Sequence, residues 1–435
     1  MTRRVIAAII RLMAKIFFRR IEAAGVERVP ASSPVIFAVN HPNALIDPVF
    51  LMTVAPRPVS FLGKAPLFRM PLIGWIVRAF DTIPVYRKQD AQARVPVPHG
   101  NRETFARARA VLERGGAIAI FPEGTTHSDP RLRELKTGAA RIALGASLRV
   151  SIVPTGLYYT AKQTFRSAAL AFFGTPIVVE SETVDENGEP RIESVEMLTE
   201  KIDRALDEVT LQADSHAALE LIARAERIFS AGEDRDLAHE LELRKRFVEG
   251  YAQLRERDPE RLKRLESSIV QVDAERLAAM EPVRSGTVMR LLLTPIGIIG
   301  AAIHWPLYRL IGFLASHFSD REDAMVATLK AVGGLVLYPL LWLGLAIAAG
   351  LAFGMRYGIA VLLVVPLLGY IGLISLETFD EMLGRLRAMR HHDIRSEQQA
   401  IREEILAVAR ELNVTSTSSL SPADSSGSRE AGAAD

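Results

Sequence analysis

Phe37-Ala38-Val39-Asn40-His41-Pro42-Asn43-Ala44-Leu45-Ile46-Asp47-Pro48 is the stretch whose reading decides the fold. It opens inside a short apolar run, Pro34 to Val39, with the pattern of a buried strand. The run breaks into a polar turn that carries a histidine and, six positions on, an aspartate. Histidine is the side chain best suited to move a proton near neutral pH. A carboxylate on its other ring nitrogen fixes the tautomer and stabilises the cation formed on proton uptake. The stretch holds no serine or cysteine, so the chemistry it suits is a general base acting on a bound hydroxyl. A turn histidine beside a helix-capping aspartate is the alternative that the stretch alone leaves open.

Outward from it, residues 21–190 alternate strand-like runs with helical patterns, which predicts an α/β domain. Strands are expected at Val35–Val39, Val59–Gly63, Thr82–Val85, Ala117–Phe121, Ser151–Tyr158 and Pro176–Val179. Helices fit Asp47–Val54, Leu67–Ala79, Asn101–Arg114 and Gly138–Ser147, and residues 87–100 read as a polar loop. Residues 191–285 change character. Glu, Arg, Leu and Ala dominate at a helical period, giving three or four amphipathic helices whose charges are solvated faces.

Before the domain, residues 1–20 punctuate Val5, Ile6, Ile9, Ile10, Leu12, Met13, Ile16 and Phe17 with six basic side chains. The apolar run is too interrupted to span a bilayer, and no small-residue cleavage site follows. A basic amphipathic helix fits, lying on an anionic membrane surface, packed on the domain, or both. After it, residues 331–376 hold two long apolar runs, Ala331–Gly354 and Gly358–Leu376, parted only by Met355-Arg356-Tyr357. They predict a transmembrane helical hairpin. Lys330 precedes it and Arg385, Arg387 and Arg390 follow, which places both ends and the catalytic domain on the cytoplasmic face. Leu291–Leu314, within 286–320, is apolar but interrupted by Pro295, His304, Pro306 and Arg309, so an interfacial or re-entrant segment is expected. Residues 377–413 read as a cytoplasmic helix and 414–435 as a disordered tail.

The chain has 435 residues, a net charge of +2 and no cysteine. Thiolate nucleophiles, disulfides and cysteine-held metals are thereby excluded, and the charge balance does not point to nucleic acid. No cluster of His and acidic residues stands at metal-ligand spacing, so no metal is expected.

Three further blocks put polar residues at strand ends: Thr82-Ile83-Pro84-Val85-Tyr86-Arg87, then Phe121-Pro122-Glu123-Gly124-Thr125-Thr126-His127-Ser128, then Val153-Pro154-Thr155-Gly156. Arg87 offers a bidentate fork to a phosphate. A glutamate and glycine straight after a buried strand suit a site where backbone approaches a ligand. Proline within the fourth run requires that strand to bend or lie at an edge. Singly, each has a bland reading as an ordinary turn or strand end.

Taken in order, Asn-His-Pro…Asp, strand-Arg, Phe-Pro-Glu-Gly-Thr and Val-Pro-x-Gly resemble the four motifs of the glycerolipid acyltransferases, over roughly residues 20–190. Lys136-Thr137-Gly138-Ala139 matches the family's Lys-x-Gly-Ala segment. The resemblance implies His41 as general base with Asp47 as its orienting partner. It implies Arg87, Glu123, Gly124 and Thr125 as acceptor-binding, Lys136 near the phosphate, and Pro154 shaping the acyl pocket. It also implies an acyl-CoA or acyl carrier protein thioester as co-substrate without a further cofactor, membrane lipids as surroundings, and a glycerophosphate-type acceptor. The acceptor that the resemblance implies is glycerol-3-phosphate or 1-acyl-glycerol-3-phosphate, with dihydroxyacetone phosphate or another lysophospholipid as alternatives. Five residues separate His41 from Asp47 where the commoner pattern has four. That spacing resembles the subgroup with fungal glycerol-3-phosphate and dihydroxyacetone-phosphate acyltransferases. Thr126 stands where many members carry arginine. A serine hydrolase lacks its Gly-x-Ser-x-Gly turn here, and a non-enzymatic membrane scaffold leaves the four polar strand ends unexplained.

Overall fold

A computed structural model of the chain describes residues 2–70, 73–86, 101–186, 188–230, 233, 235–272, 292–318, 323–389 and 394–412. These fall into two compact units. One draws on residues 1–214, 236–241 and 288–376, the other on 215–235, 242–287 and 377–435.

The first unit is built on one eight-stranded sheet. Its strands are β1 (Arg20–Ala24), β2 (Val35–Val39), β3 (Ser60–Lys64), β4 (Ile83–Val85), β5 (Ala117–Ile120), β6 (Val150–Tyr159), β7 (Ala168–Phe173) and β8 (Ile177–Val179). They lie in the order β1-β7-β6-β2-β5-β3-β4, with β8 beside the start of β6. β6, β2, β5, β3 and β4 run parallel, so their C-terminal ends share one edge. β2 is wholly buried because strands and helices enclose it on every side, which is why its sequence is continuously apolar. Its side chains alternate between two cores. Ile36 and Ala38 meet helices α4 (Arg102–Glu113), α5 (Gly138–Leu144) and α6 (Ile192–Val209). Val35, Phe37 and Val39 meet the opposite layer, which includes Phe50 and Leu51 of α2 (Ile46–Val54).

The expected α/β class and the six expected strands are present, with ends shifted by a residue or two. β1 and β7 were not expected. The expected helix at Leu67–Ala79 is instead a 3-10 turn, Ala65–Arg69, and a short helix α3, Ile73–Ala79. Pro71, within that stretch, denies a continuous helix a backbone N–H it needs there. Pro154 is tolerated in mid-strand for a visible reason. Residues 150–152 of β6 pair with β8 and residues 155–159 with β7, so Pro154 falls at the join between the two partners. Two residues on, Gly156 is obligatory: a Cβ there would stand 1.9 Å from the Val209 carbonyl oxygen at the end of α6.

The N-terminal segment forms α1, Thr2–Phe17. Ile6, Ile10, Ala14 and Phe17 are buried on the domain. Val5, Ile9, Leu12 and Ile16 form a second stripe that is exposed, between 37% and 60%. The helix thus packs on the domain and keeps an apolar face outward among basic residues, as a membrane-surface helix does.

Three further helices are α10 (Thr294–Phe318), α11 (Asp323–Phe353) and α12 (Met355–Met389); each contains a segment long and apolar enough to cross a membrane. The stretch expected as interfacial or re-entrant is one unbroken helix, α10, which takes Pro306 within it and lies along α11. There Trp342 donates its indole N–H to His304 Nε2 at 2.9 Å. α12 runs past residue 376 to Met389 rather than stopping at the apolar boundary.

The second unit gathers α7 (His216–Phe229), most of α8 (Leu237–Arg257), α9 (Pro259–Gln271) and α13 (Ile394–Glu411). Their apolar faces meet through Ile228, Phe229, Leu254, Leu265, Ile401 and Ile405. The tail expected to be disordered, 414–435, lies outside the described residues.

Candidate active site

The end of β2 is shaped by a side chain. Asn40 accepts a hydrogen bond from Leu157 N–H at 2.7 Å and donates one to the Leu157 carbonyl at 3.2 Å. Its amide so prolongs the β2–β6 ladder by one rung in place of backbone. The main chain is freed to turn, and His41 leaves the sheet at the C-terminal edge, where open parallel sheets hold their ligands. The turn closes with Ile46 N–H on the Asn43 carbonyl and with Ala44 at φ 43°, a left-handed conformation uncommon outside glycine.

Asp47 lies in the first turn of α2 and is fully buried. Its Oδ2 is 2.8 Å from His41 Nδ1 and accepts from Asn43 N–H at 2.7 Å; its Oδ1 accepts the Tyr159 hydroxyl at 2.7 Å. Three donors on one carboxylate are what an ionised carboxylate takes, and the N-terminal end of α2 adds a favourable dipole. Burial pushes the Tyr159 phenol well above its usual range, and the Asp47 charge adds to that, so Tyr159 stays a donor. An ionised Asp47 requires the proton of His41 on Nδ1. Nε2 is then the basic nitrogen, and no described residue hydrogen-bonds it. The ring is 13% exposed and stacks on Phe121, centroids 4.1 Å apart. A fixed tautomer, an open Nε2 and a buried counter-charge are what the chemistry of a general base requires.

Glu123 follows β5, the neighbour of β2 on the same edge. The residue is buried, and its carboxylate accepts from His41 N–H at 2.9 Å, from Arg133 N–H at 3.1 Å and from His127 Nε2. Asp129 N–H donates to His127 Nδ1 at 3.2 Å, which leaves the His127 proton on Nε2. The backbone of His127 also donates to the His41 carbonyl at 3.4 Å. Glu123, expected to bind acceptor, is therefore engaged in this structure as a brace between the His41 turn and the loop after β5. Sequence reasoning did not assign His127 a place in that brace.

Gly124 turns the loop with φ 71°. Lys136 is tied back to it: its N–H donates to the Pro122 carbonyl at 2.7 Å, and its side chain lies over Gly124. Its ammonium is thereby carried on an exposed residue at the rim. Thr125 is half-buried in the same loop. Pro154 lies within β6, paired with Ala38 of β2 and packed against Gly174, one strand from the site. Arg87 lies outside the described residues; the strand that leads to it, β4, ends on the shared edge at Val85. β3, between β5 and β4, ends there in exposed Lys64. Lys64 was not singled out by sequence, although a lysine closing an apolar strand is the same signal as Arg87. Strands about 4.8 Å apart put the end of β4 some 14 Å from the end of β2 along that edge, with Lys64 on the strand beside β4.

Residues 20–158 match the family model described as Acyltransferase. Among curated proteins, the chain is 34% identical over 165 residues to glycerol-3-phosphate O-acyltransferase 2 of Saccharomyces cerevisiae, covering 37% of this chain and 22% of that one. It is 27% identical over 325 residues to glycerol-3-phosphate O-acyltransferase 1 of the same yeast, covering 54% and 43%. It is 30% identical over 146 residues to the chloroplastic 1-acyl-sn-glycerol-3-phosphate acyltransferase LPAT1 of Arabidopsis thaliana, covering 33% and 38%. The matches thus span less than half the length of each of these relatives.

Proposed function

We propose that this chain, whose residues 20–158 are a domain of the acyltransferase family, moves a fatty acyl group from a thioester to a hydroxyl of glycerol-3-phosphate or 1-acyl-glycerol-3-phosphate. The observation that carries the reading is His41, with Nδ1 held by a triply bonded Asp47 and Nε2 open at the C-terminal edge of the sheet. Nε2 takes the proton of the acceptor hydroxyl as its oxygen attacks the thioester carbonyl. The tetrahedral intermediate collapses, the carbon–sulfur bond breaks, and the leaving thiolate receives the proton from His41. No acyl-enzyme is needed, because a thioester is already activated. The donor is an acyl-CoA or an acyl carrier protein thioester. Phosphatidic acid biosynthesis is the setting that these substrates imply.

Lys64, Lys136 and Arg87 are the cations assigned to the acceptor phosphate. Lys136→Ala and Arg87→Ala are expected to raise the acceptor KM about tenfold or more, with kcat and the thioester KM little changed, because each removes a charge-assisted contact. The test is an acyl-transfer assay on purified full-length protein, with glycerol-3-phosphate, dihydroxyacetone phosphate and 1-acyl-glycerol-3-phosphate in parallel. Absence of thioester-dependent transfer to all three would overturn the function; a change confined to the thioester KM would overturn the phosphate assignment.

Three long apolar helices associate the chain with a membrane. The catalytic domain is assigned to the cytoplasmic face, because Lys330 precedes and Arg385, Arg387 and Arg390 follow the two apolar runs of residues 331–376. Protease treatment of sealed vesicles is expected to cleave the catalytic domain and the tail after residue 389 from the same side. Cleavage from opposite sides would mean that α10 crosses as a third span and that the hairpin topology is wrong.

A further inference from the structure

The loop between His41 and Asp47 is touched by a helix from the far end of the chain. Leu45 N–H donates to Thr328 Oγ1 at 3.2 Å, a contact across 283 positions of sequence. Thr328 is on α11 and 4% exposed. Its neighbours Ala327 and Ala331 are buried in the same core cluster as Val39, Ile46, Phe50 and Tyr159. A second contact lies two residues on from Thr328. Lys330 Nζ donates to the Gln163 carbonyl at 2.9 Å, and the adjacent Lys162 carbonyl accepts from the Asn43 side chain at 3.1 Å. Asn43 is the residue whose backbone N–H holds Asp47 Oδ2. The turn that carries the base is thus gripped from α11 at Leu45 directly and at Asn43 through the 162–163 turn.

The grip falls where the loop needs it. Leu45 follows Ala44, the left-handed residue, and stands before the first turn of α2. Helix-leading N–H groups have no partner within their own helix, and a left-handed alanine does not hold itself. The His41–Asp47 spacing sets how long this loop is, and α11 supplies the acceptor that fixes its shape.

We propose that Thr328 is a positioning residue for the His41–Asp47 pair, so that the apolar helix α11 is part of the catalytic scaffold as well as an anchor. The inference rests on reading that pair as the general base and its partner. Membrane insertion and base geometry are then coupled, since the same helix that enters the bilayer holds the loop.

The test separates positioning from anchoring and from activity. The full-length chain in detergent micelles is compared with Thr328→Val, which keeps the shape and removes the acceptor, Thr328→Ala, which tolerates any failure of the valine variant to fold, and Thr328→Ser, which restores the acceptor. Amide hydrogen exchange of peptides spanning residues 40–47 is expected to quicken about five- to tenfold in the Val and Ala variants and to stay at wild-type rates in Ser, as for loss of one net hydrogen bond. In the acyl-transfer assay kcat is expected to fall by a similar factor, with both KM values and resistance to alkaline extraction from membranes unchanged. Exchange at 40–47 that is the same in wild type, Val and Ala would overturn the proposal. Quickened exchange in a chain that transfers no acyl group would support the positioning contact and sink the proposed reaction instead.

Discussion

His41→Ala is expected to abolish measurable acyl transfer, with a loss of about 10⁴-fold or more in kcat, the upper end of what a positioned general base contributes. The fold is expected to survive, for a reason visible in the turn. The main chain of His41, not its ring, ties the turn to the loop after β5: its N–H is on Glu123 and its carbonyl accepts from His127 N–H. What the variant loses is the ring, its stack on Phe121 and its bond to Asp47. Asn43 N–H and Tyr159 still satisfy the Asp47 carboxylate. Membrane association, α10 to α12 being untouched, is expected to match wild type. Turnover of the purified variant, read with a sedimentation control, checks this; a His41→Ala protein that turns over like wild type would end the hypothesis of His41 as base.

Asp47→Asn is expected to cost about 10³-fold in kcat, less than the alanine at His41. Amidation of the aspartate in a serine-protease triad costs about 10⁴-fold because the histidine takes the wrong tautomer. Here the wiring softens that effect. His41 Nδ1 and Asn43 N–H both point at Oδ2, so an asparagine carbonyl placed there keeps both bonds, and the tautomer with them. The amide then faces Tyr159, whose hydroxyl can accept instead of donate. The lost element is the negative charge that stabilises the imidazolium in the transition state. The expected signature is a fall in kcat with little change in either KM, measured on the full-length protein. A variant with kcat within about twofold of wild type would show that Asp47 is a helix-start aspartate with no electrostatic part in the reaction.

Much of the site was legible because its chemistry is carried in short blocks at strand ends. β2 and β5 are continuous apolar runs, so their ends, and the His41 and Glu123 that follow them, are marked in one dimension. The His41–Asp47 bond joins residues six apart in one turn, within reach of a local reading. β1 and β7 left no such mark. Arg20-Ile21-Glu22-Ala23-Ala24 is a half-buried strand with two charges, and Ala168–Phe173 lacks any β-branched residue. They are strands because β6 offers an unpaired side to β7, and β7 in turn to β1.

By itself, then, the sequence determined the local matters: which residues form the buried strands, where polar blocks interrupt them, that a histidine and an aspartate share a turn, and that long apolar helices follow. Only the tertiary structure decided what surrounds that turn. It spent the Glu123 carboxylate on the His41 backbone, brought Tyr159 to the other oxygen of Asp47, and set Thr328 against Leu45 across 283 residues. The physical reason is that a hydrogen bond has no signature in either partner's sequence neighbourhood when the partners are far apart. Tyrosine, glutamate and threonine are ordinary at a strand end, a turn and a helix start. Their roles are fixed by the demand that every buried donor and acceptor be met, and that demand exists only once the chain has folded.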